Sequence, residues 1–232
     1  MIPMITFLMF ALRHGVMSTA ADDLDIPAIA FSSGAVVLAL AAAAWCNYFY
    51  GWSFPQVAVV HGASTAGGAY LPGLSDYVVL VKDRSSIYLA GPPLVKAAIG
   101  EDATEEALGG AELHARTTGL GEYLADDDAH AIALARELLA ALPWNGAPAP
   151  SDAPMPRYPT EELLGVVPAD EREPYDVREV IARLVDDSAF LEFKAAYASD
   201  TICGHARIDG HAVGLIGNNG PIQPNGSTKA AQ

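Results

Sequence analysis

The stretch Ala63-Ser64-Thr65-Ala66-Gly67-Gly68-Ala69-Tyr70-Leu71-Pro72-Gly73 follows directly on the apolar run Val57-Ala58-Val59-Val60. A strand that exits into adjacent glycines and then into a helix start leaves backbone N–H groups unpaired and facing one way. Such groups hold an anion without any charged side chain, because a helix start carries bare donors and a positive partial charge. An enolate oxygen is one anion that needs this device. Gly67 and Gly68 carry no Cβ, so a ligand can approach the main chain closely there. Small-residue turns between strand and helix also serve plain packing, and the glycine pair by itself leaves both readings open.

Other residues able to do chemistry are sparse. Lys82, Arg84 and Lys96 are the basic side chains nearest the pair in sequence, and each also reads as ordinary solvated surface. The six histidines, His14, His61, His114, His130, His205 and His211, show no metal-ligand spacing, so no metal is expected. Asp126-Asp127-Asp128 could suggest a cation site, but before an apolar helical pattern it reads as a helix start. Cys46 and Cys203 stand too far apart to make a disulfide framework and fit a reducing, cytoplasmic setting.

The elements that must position these residues follow from patterning. Val57–Val60 and Tyr77–Val81 are β-rich runs, with a turn and short helix at Gly67–Leu71 between them, and Ser86–Leu89 is a further strand. Pro92 and Pro93 sit where a helix begins, Thr104 caps a short helix ended by Gly109-Gly110, and a longer helix spans Ala129–Leu142. Its expected apolar face is Ile132, Leu138, Leu139 and Leu142. Past a proline-rich stretch, Asp176 precedes a helix carrying Val177, Val180, Ile181 and Leu184, and a second helix is expected from about Ser188 to Tyr197. Asp209-Gly210, between Ile202–Ile208 and His211–Ile216, is a two-residue hairpin turn.

Several segments in one order carry a family resemblance. Besides the glycine turn they are Ser75-Asp76-Tyr77-Val78-Val79-Leu80-Val81, Ile87 to Glu101 with Gly91-Pro92-Pro93-Leu94-Val95-Lys96, Leu108 to His114, and Gly119 to His130. Glu161 to Pro168, Pro174 to Ile181 and Val213 to Gly220 continue the series. Together they resemble the carboxyltransferase (β) subunit of biotin-dependent acyl-CoA carboxylases, the methylcrotonoyl-CoA and propionyl-CoA carboxylase group, over roughly residues 54–232.

The resemblance implies an α/β crotonase-like fold of ββα superhelix type, with an incomplete N-terminal domain and the start of a second similar domain. Residues 1–53 are an unassigned apolar segment, and 54–145 are part of a carboxyltransferase N-terminal domain. Residues 146–159 form a proline-rich linker, and 160–232 begin the C-terminal domain. In the family, carboxybiotin carried by a partner subunit releases CO2, the biotin ureido group takes the α-proton of acyl-CoA, and the enolate attacks CO2. Gly67 and Gly68 match the family's backbone oxyanion hole, and Ala66, Ala69 and Lys96 are the associated substrate contacts. The expected partners are acyl-CoA, a biotin carboxylase/biotin carrier subunit and further copies of the β subunit. Biotin is the cofactor, held by the partner. Two other classes stay open: a non-catalytic remnant or assembly fragment, and a crotonase-like hydratase or thioesterase.

Two features depart from that pattern. The family's second oxyanion hole, for the biotin carbonyl, falls past Gln232, and a half-built sheet of this kind is expected to aggregate. Residues 1–53 are expected to lie outside the family pattern, and Ile26 to Trp52 carries no charged residue. The apolar run Ile29 to Cys46 reads as sequence from a wrong start or fusion, as a buried helix, or as a membrane anchor. A membrane partner is not expected, nor is nucleic acid: with 28 acidic against 13 basic residues the net charge is -15, the wrong sign for a phosphate backbone.

Overall fold

The computed structural model describes residues 9–10, 55–142, 152–170 and 172–232. The apolar run Ile29 to Cys46 and most of the 1–53 segment lie outside the described residues, as do 143–151 of the linker region. Two compact units divide the chain at Ile132 and Ala133.

In the first unit, β1 (Met9–Phe10), β2 (Val57–Val60), β4 (Tyr77–Val81) and β6 (Tyr123–Ala125) form a parallel sheet in the order β1-β2-β4-β6. Val57 pairs with Tyr77 and Val60 with Leu80, while Val79 pairs with Tyr123. Val78, Val79, Leu80 and Val81 are all buried, as a parallel strand covered on both faces requires. A second, two-stranded parallel sheet pairs β3 (Ala63–Thr65) with β5 (Ser86–Tyr88). The sequence reading gave no strand at 63–65. Three small or β-branched residues carry little signal, and the pairing with β5 makes the strand.

α1 (Pro92–Ile99) starts on Pro92-Pro93 and ends at Gly100 in the left-handed conformation, φ 77°. Thr104 caps α2 (Glu105–Gly109) by accepting from the Ala107 N–H at 3.1 Å. At α3 (Asp128–Ala141) the Asp127 carboxylate accepts from the His130 N–H at 2.7 Å, so the acidic triplet does serve a helix start. The buried face of α3 is Ala131, Ala135, Leu138 and Leu142. Ile132 is exposed, which corrects the expected stripe: alanines at helical spacing mark the close-packed side, and the larger Ile132 turns outward.

In the second unit, Asp176 caps α4 (Val177–Ile181) through the Arg178 N–H, and Leu184 beyond its end is exposed. An antiparallel sheet follows, with β7 (Phe190–Phe193), β8 (Thr201–Ile208) and β9 (His211–Asn218) in that order. The expected helix over Ser188–Tyr197 is thus overturned. Phe190 to Phe193 pair with Ala206 to Cys203, and cross-strand pairing outweighs the helix preference of the Leu, Glu, Lys and Ala residues in the window. Asp209 and Gly210 form the β8–β9 hairpin with φ 53° and 74°, the positive pair a type I′ turn requires. The core joins Ile202 and Ala206 of β8 to Ile181 and Val185. α5 (Pro224–Ala231) packs on β8 and buries Lys229, whose Nζ donates to the Tyr197 carbonyl at 3.0 Å.

Candidate active site

β2 ends at Val60, whose carbonyl accepts from the buried Ser85 hydroxyl; Ser85 Oγ accepts in turn from the Val81 N–H at 2.7 Å. The Ser86 N–H donates to the Gly62 carbonyl at 3.2 Å, which fixes the chain between β2 and β3. β3 then runs into a 3-10 turn, Ala66–Ala69, and a helical turn, Tyr70–Gly73. Thr65 before the turn is extended, φ -117° and ψ 155°, and its side chain makes no capping bond, so the first N–H groups of the turn are not taken by it.

Ala66 sits at φ 50°, a left-handed conformation that disfavours any residue with a Cβ. Such strain persists only where the surroundings impose it. Gly67 is exposed, and a Cβ built on it would meet nothing within 4 Å. A Cβ on Gly68 would meet only the Ser64 Oγ, at 3.5 Å, an ordinary contact. Packing among the described residues therefore demands glycine at neither position. Ala69 faces inward, its methyl in the core with Val60, Val78, Leu80 and Ile87, which leaves only its backbone for a ligand.

Lys96 lies in the last turn of α1 with its Nζ 2.6 Å from Asp102 Oδ1, both side chains well exposed. Tyr88 stands opposite Thr65 in the β3–β5 pairing, and burial together with the Glu105 carboxylate pushes its phenol up. Among the described residues no cluster of histidine, cysteine and carboxylate could hold a metal ion.

A histidine network that the sequence reading passed over stands at the end of β2. His61 Nδ1 lies 2.7 Å from Asp128 Oδ1, and Arg84 Nη1 donates to Asp128 Oδ2 at 2.6 Å. Spacings of 67 and 44 residues give no motif that could have revealed it. His114 is buried; its Nε2 faces the Ile87 carbonyl at 2.8 Å and must donate, while Nδ1 accepts from Thr118 Oγ1 at 2.9 Å.

Residues 42–232 match the carboxyl transferase domain, so the match begins inside the 1–53 segment that the sequence left unassigned. The chain belongs to that family. It is 51% identical over 180 residues to a probable biotin-dependent acyl-coenzyme A carboxylase beta2 subunit of Mycobacterium tuberculosis, covering 77% of this chain and 34% of the relative. It is 50% identical over 179 residues to the mitochondrial methylcrotonoyl-CoA carboxylase beta chain of Dictyostelium discoideum, covering 76% of this chain and 30% of the relative. Among solved structures, the transcarboxylase 12S hexamer with methylmalonyl-coenzyme A and methylmalonic acid bound superposes with a TM-score of 0.69 at 37% identity. That match covers 76% of this chain and 36% of the other. The fold is thus the crotonase-like α/β fold of carboxyltransferase domains. The chain spans about a third of the length of the curated relatives it matches. Among the described residues, no helix is long and apolar enough to cross a membrane.

Proposed function

We propose that this chain forms the acyl-CoA-binding part of a cytoplasmic carboxyltransferase that carboxylates a short or branched acyl-CoA of methylcrotonoyl-like type. The observation that carries the reading is the open space at Gly67. Among the described residues a Cβ there would meet nothing within 4 Å, which supports reading the missing side chain as room for a ligand. The backbone N–H groups of Gly67 and Gly68 would hold the thioester oxygen as it takes up negative charge. Ala66 and Ala69 would complete the turn through their main chain, and Lys96 would meet the anionic part of the ligand. Biotin on a partner biotin carboxylase/biotin carrier subunit supplies the carboxyl group and removes the α-proton. No described residue is assigned a contact to biotin, and the complete enzyme would be a homo-oligomer of β subunits.

The test is carboxylation by the complete subunit, assembled with its biotinylated partner, in wild-type and Gly67→Val forms. A backbone oxyanion donor contributes on the order of 100- to 1000-fold in rate, and blocking it should remove about that much. Full carboxylation by Gly67→Val would overturn the reading. Hydration or thioester cleavage of an enoyl-CoA, without carboxylated product, would place the chain with the hydratases and thioesterases. Inactivity of the assembled wild type would make it a non-catalytic fragment.

A further inference from the structure

Two adjacent glycines are the least constrained pair of residues a chain can contain, yet an oxyanion site works only if its donors are aimed before the substrate arrives. Something must hold Gly67–Gly68 in one conformation. Side chains offer little hold: among the described residues a Cβ on Gly67 would meet nothing within 4 Å, and one on Gly68 would meet a single group. That group is the hydroxyl of Ser64. Its side chain is buried, 8% exposed, on β3 directly across from Ile87 of β5. Its hydroxyl donates across the turn to the Gly68 carbonyl at 2.9 Å. The same carbonyl also receives the Tyr70 N–H. A carbonyl held by two donors fixes its own peptide plane, the one that joins the Gly68 C=O to the Ala69 N–H, and so pins the C-terminal side of the glycine pair.

We propose that Ser64 is a positioning residue for acyl-CoA: its hydroxyl locks the Gly68–Ala69 peptide, so that the turn presenting Gly67 and Gly68 is anchored before the thioester oxygen arrives. This rests on the reading of the glycine turn given above. Ser64 does not touch substrate. It supplies through one hydrogen bond the order that the glycines forgo in being open. The two-stranded β3–β5 pairing sets the direction of the Ser64 side chain, which gives the small second sheet a purpose in the site.

The experiment compares Ser64→Ala, Ser64→Cys and Ser64→Thr with wild type in the complete subunit assembled with its biotinylated partner. Carboxylation kinetics are measured together with amide hydrogen exchange over residues 66–70 and the melting temperature. Ser64→Ala should lower kcat about tenfold or more, with KM for acyl-CoA changed less, and should speed exchange in that window. Ser64→Thr keeps the hydroxyl and should restore both, and Ser64→Cys, a weak donor of the same shape, should fall between. Wild-type kcat and unchanged exchange in Ser64→Ala would overturn the proposal. So would a loss of activity that only tracks melting temperature and that Ser64→Thr does not rescue. The exchange readout separates this test from the parent reading: if Gly67→Val stays active the parent reading fails, whatever Ser64 does to the turn.

Discussion

His61 Nδ1 and Asp128 Oδ1 lie 2.7 Å apart, so the exit of β2 is tied to the first residue of α3 across 67 positions of sequence. The His61 side chain is 12% exposed and that of Asp128 46%. Facing a carboxylate, Nδ1 is the donor, and Arg84 holds the second carboxylate oxygen.

The hydrogen bond from His61, joined by Arg84, holds the Asp128 carboxyl below the usual aspartate range. A carboxyl depressed by folding adds stability that is present above its unfolded value, about 3.9, and is lost as pH falls through the lower folded value. Melting curves from pH 7 to pH 3 should therefore show a smaller acid loss for Asp128→Asn than for wild type. Superimposable acid limbs would remove Asp128 from the explanation.

Lys229 has a dependence of the same sign in a more alkaline window. Burial pushes its ammonium down, so the unfolded chain binds more protons and stability rises with pH. The gain should be complete near the unfolded lysine value of about 10.4, and Lys229→Met should lack it. Lys229→Ala leaves a cavity and removes a donor from the Tyr197 carbonyl, a loss of about 2–4 kcal/mol by denaturant titration. A variant as stable as wild type would contradict the burial argument.

Asp186 is buried with its carboxylate accepting from the N–H groups of Asp209 at 2.9 Å and Gly210 at 2.7 Å. Asp186→Ala leaves both hairpin amides unsatisfied and should cost about 2–3 kcal/mol. Gly210→Ala, forced to hold φ 74°, should cost about 1 kcal/mol or more by chemical denaturation. If Asp186→Ala proved neutral, the clamp would be ornamental.

Glycines 67 and 109 should separate cleanly. A Cβ on Gly109 would lie 2.0 Å from the Ile87 carbonyl oxygen, so Gly109→Ala must push β5 aside at a cost of about 3 kcal/mol. Gly67→Ala meets nothing and should melt with wild type while its carboxylation falls. Equal melting of the two variants would refute the contrast.

Much of this was readable from the residues. Val57–Val60, Tyr77–Val81, the Pro92 helix start, the Thr104 cap and the Asp209-Gly210 turn declare themselves through local chemistry. Phe190–Phe193 does not, because what makes it a strand is its partner β8, which no local window contains. The face of α3 is not legible from the larger apolar residues, because Ala131 and Ala135 are buried while Ile132 is exposed. At the site, the glycine pair was visible as composition. The left-handed Ala66, the Ser64 bond to Gly68 and the His61–Asp128 tie exist only once the chain is folded.

The hairpin clamp has one further consequence, for chemical ageing. Aspartyl-glycine bonds decay when the glycine nitrogen attacks the neighbouring side-chain carboxyl, closing a five-membered imide that reopens as isoaspartate. At Asp209-Gly210 that nitrogen already gives its hydrogen to Asp186 Oδ2 at 2.7 Å. Decay therefore waits for the clamp to open, so the rate at which stored protein accumulates isoaspartate at residue 209 becomes a slow clock for local unfolding of the β8–β9 turn.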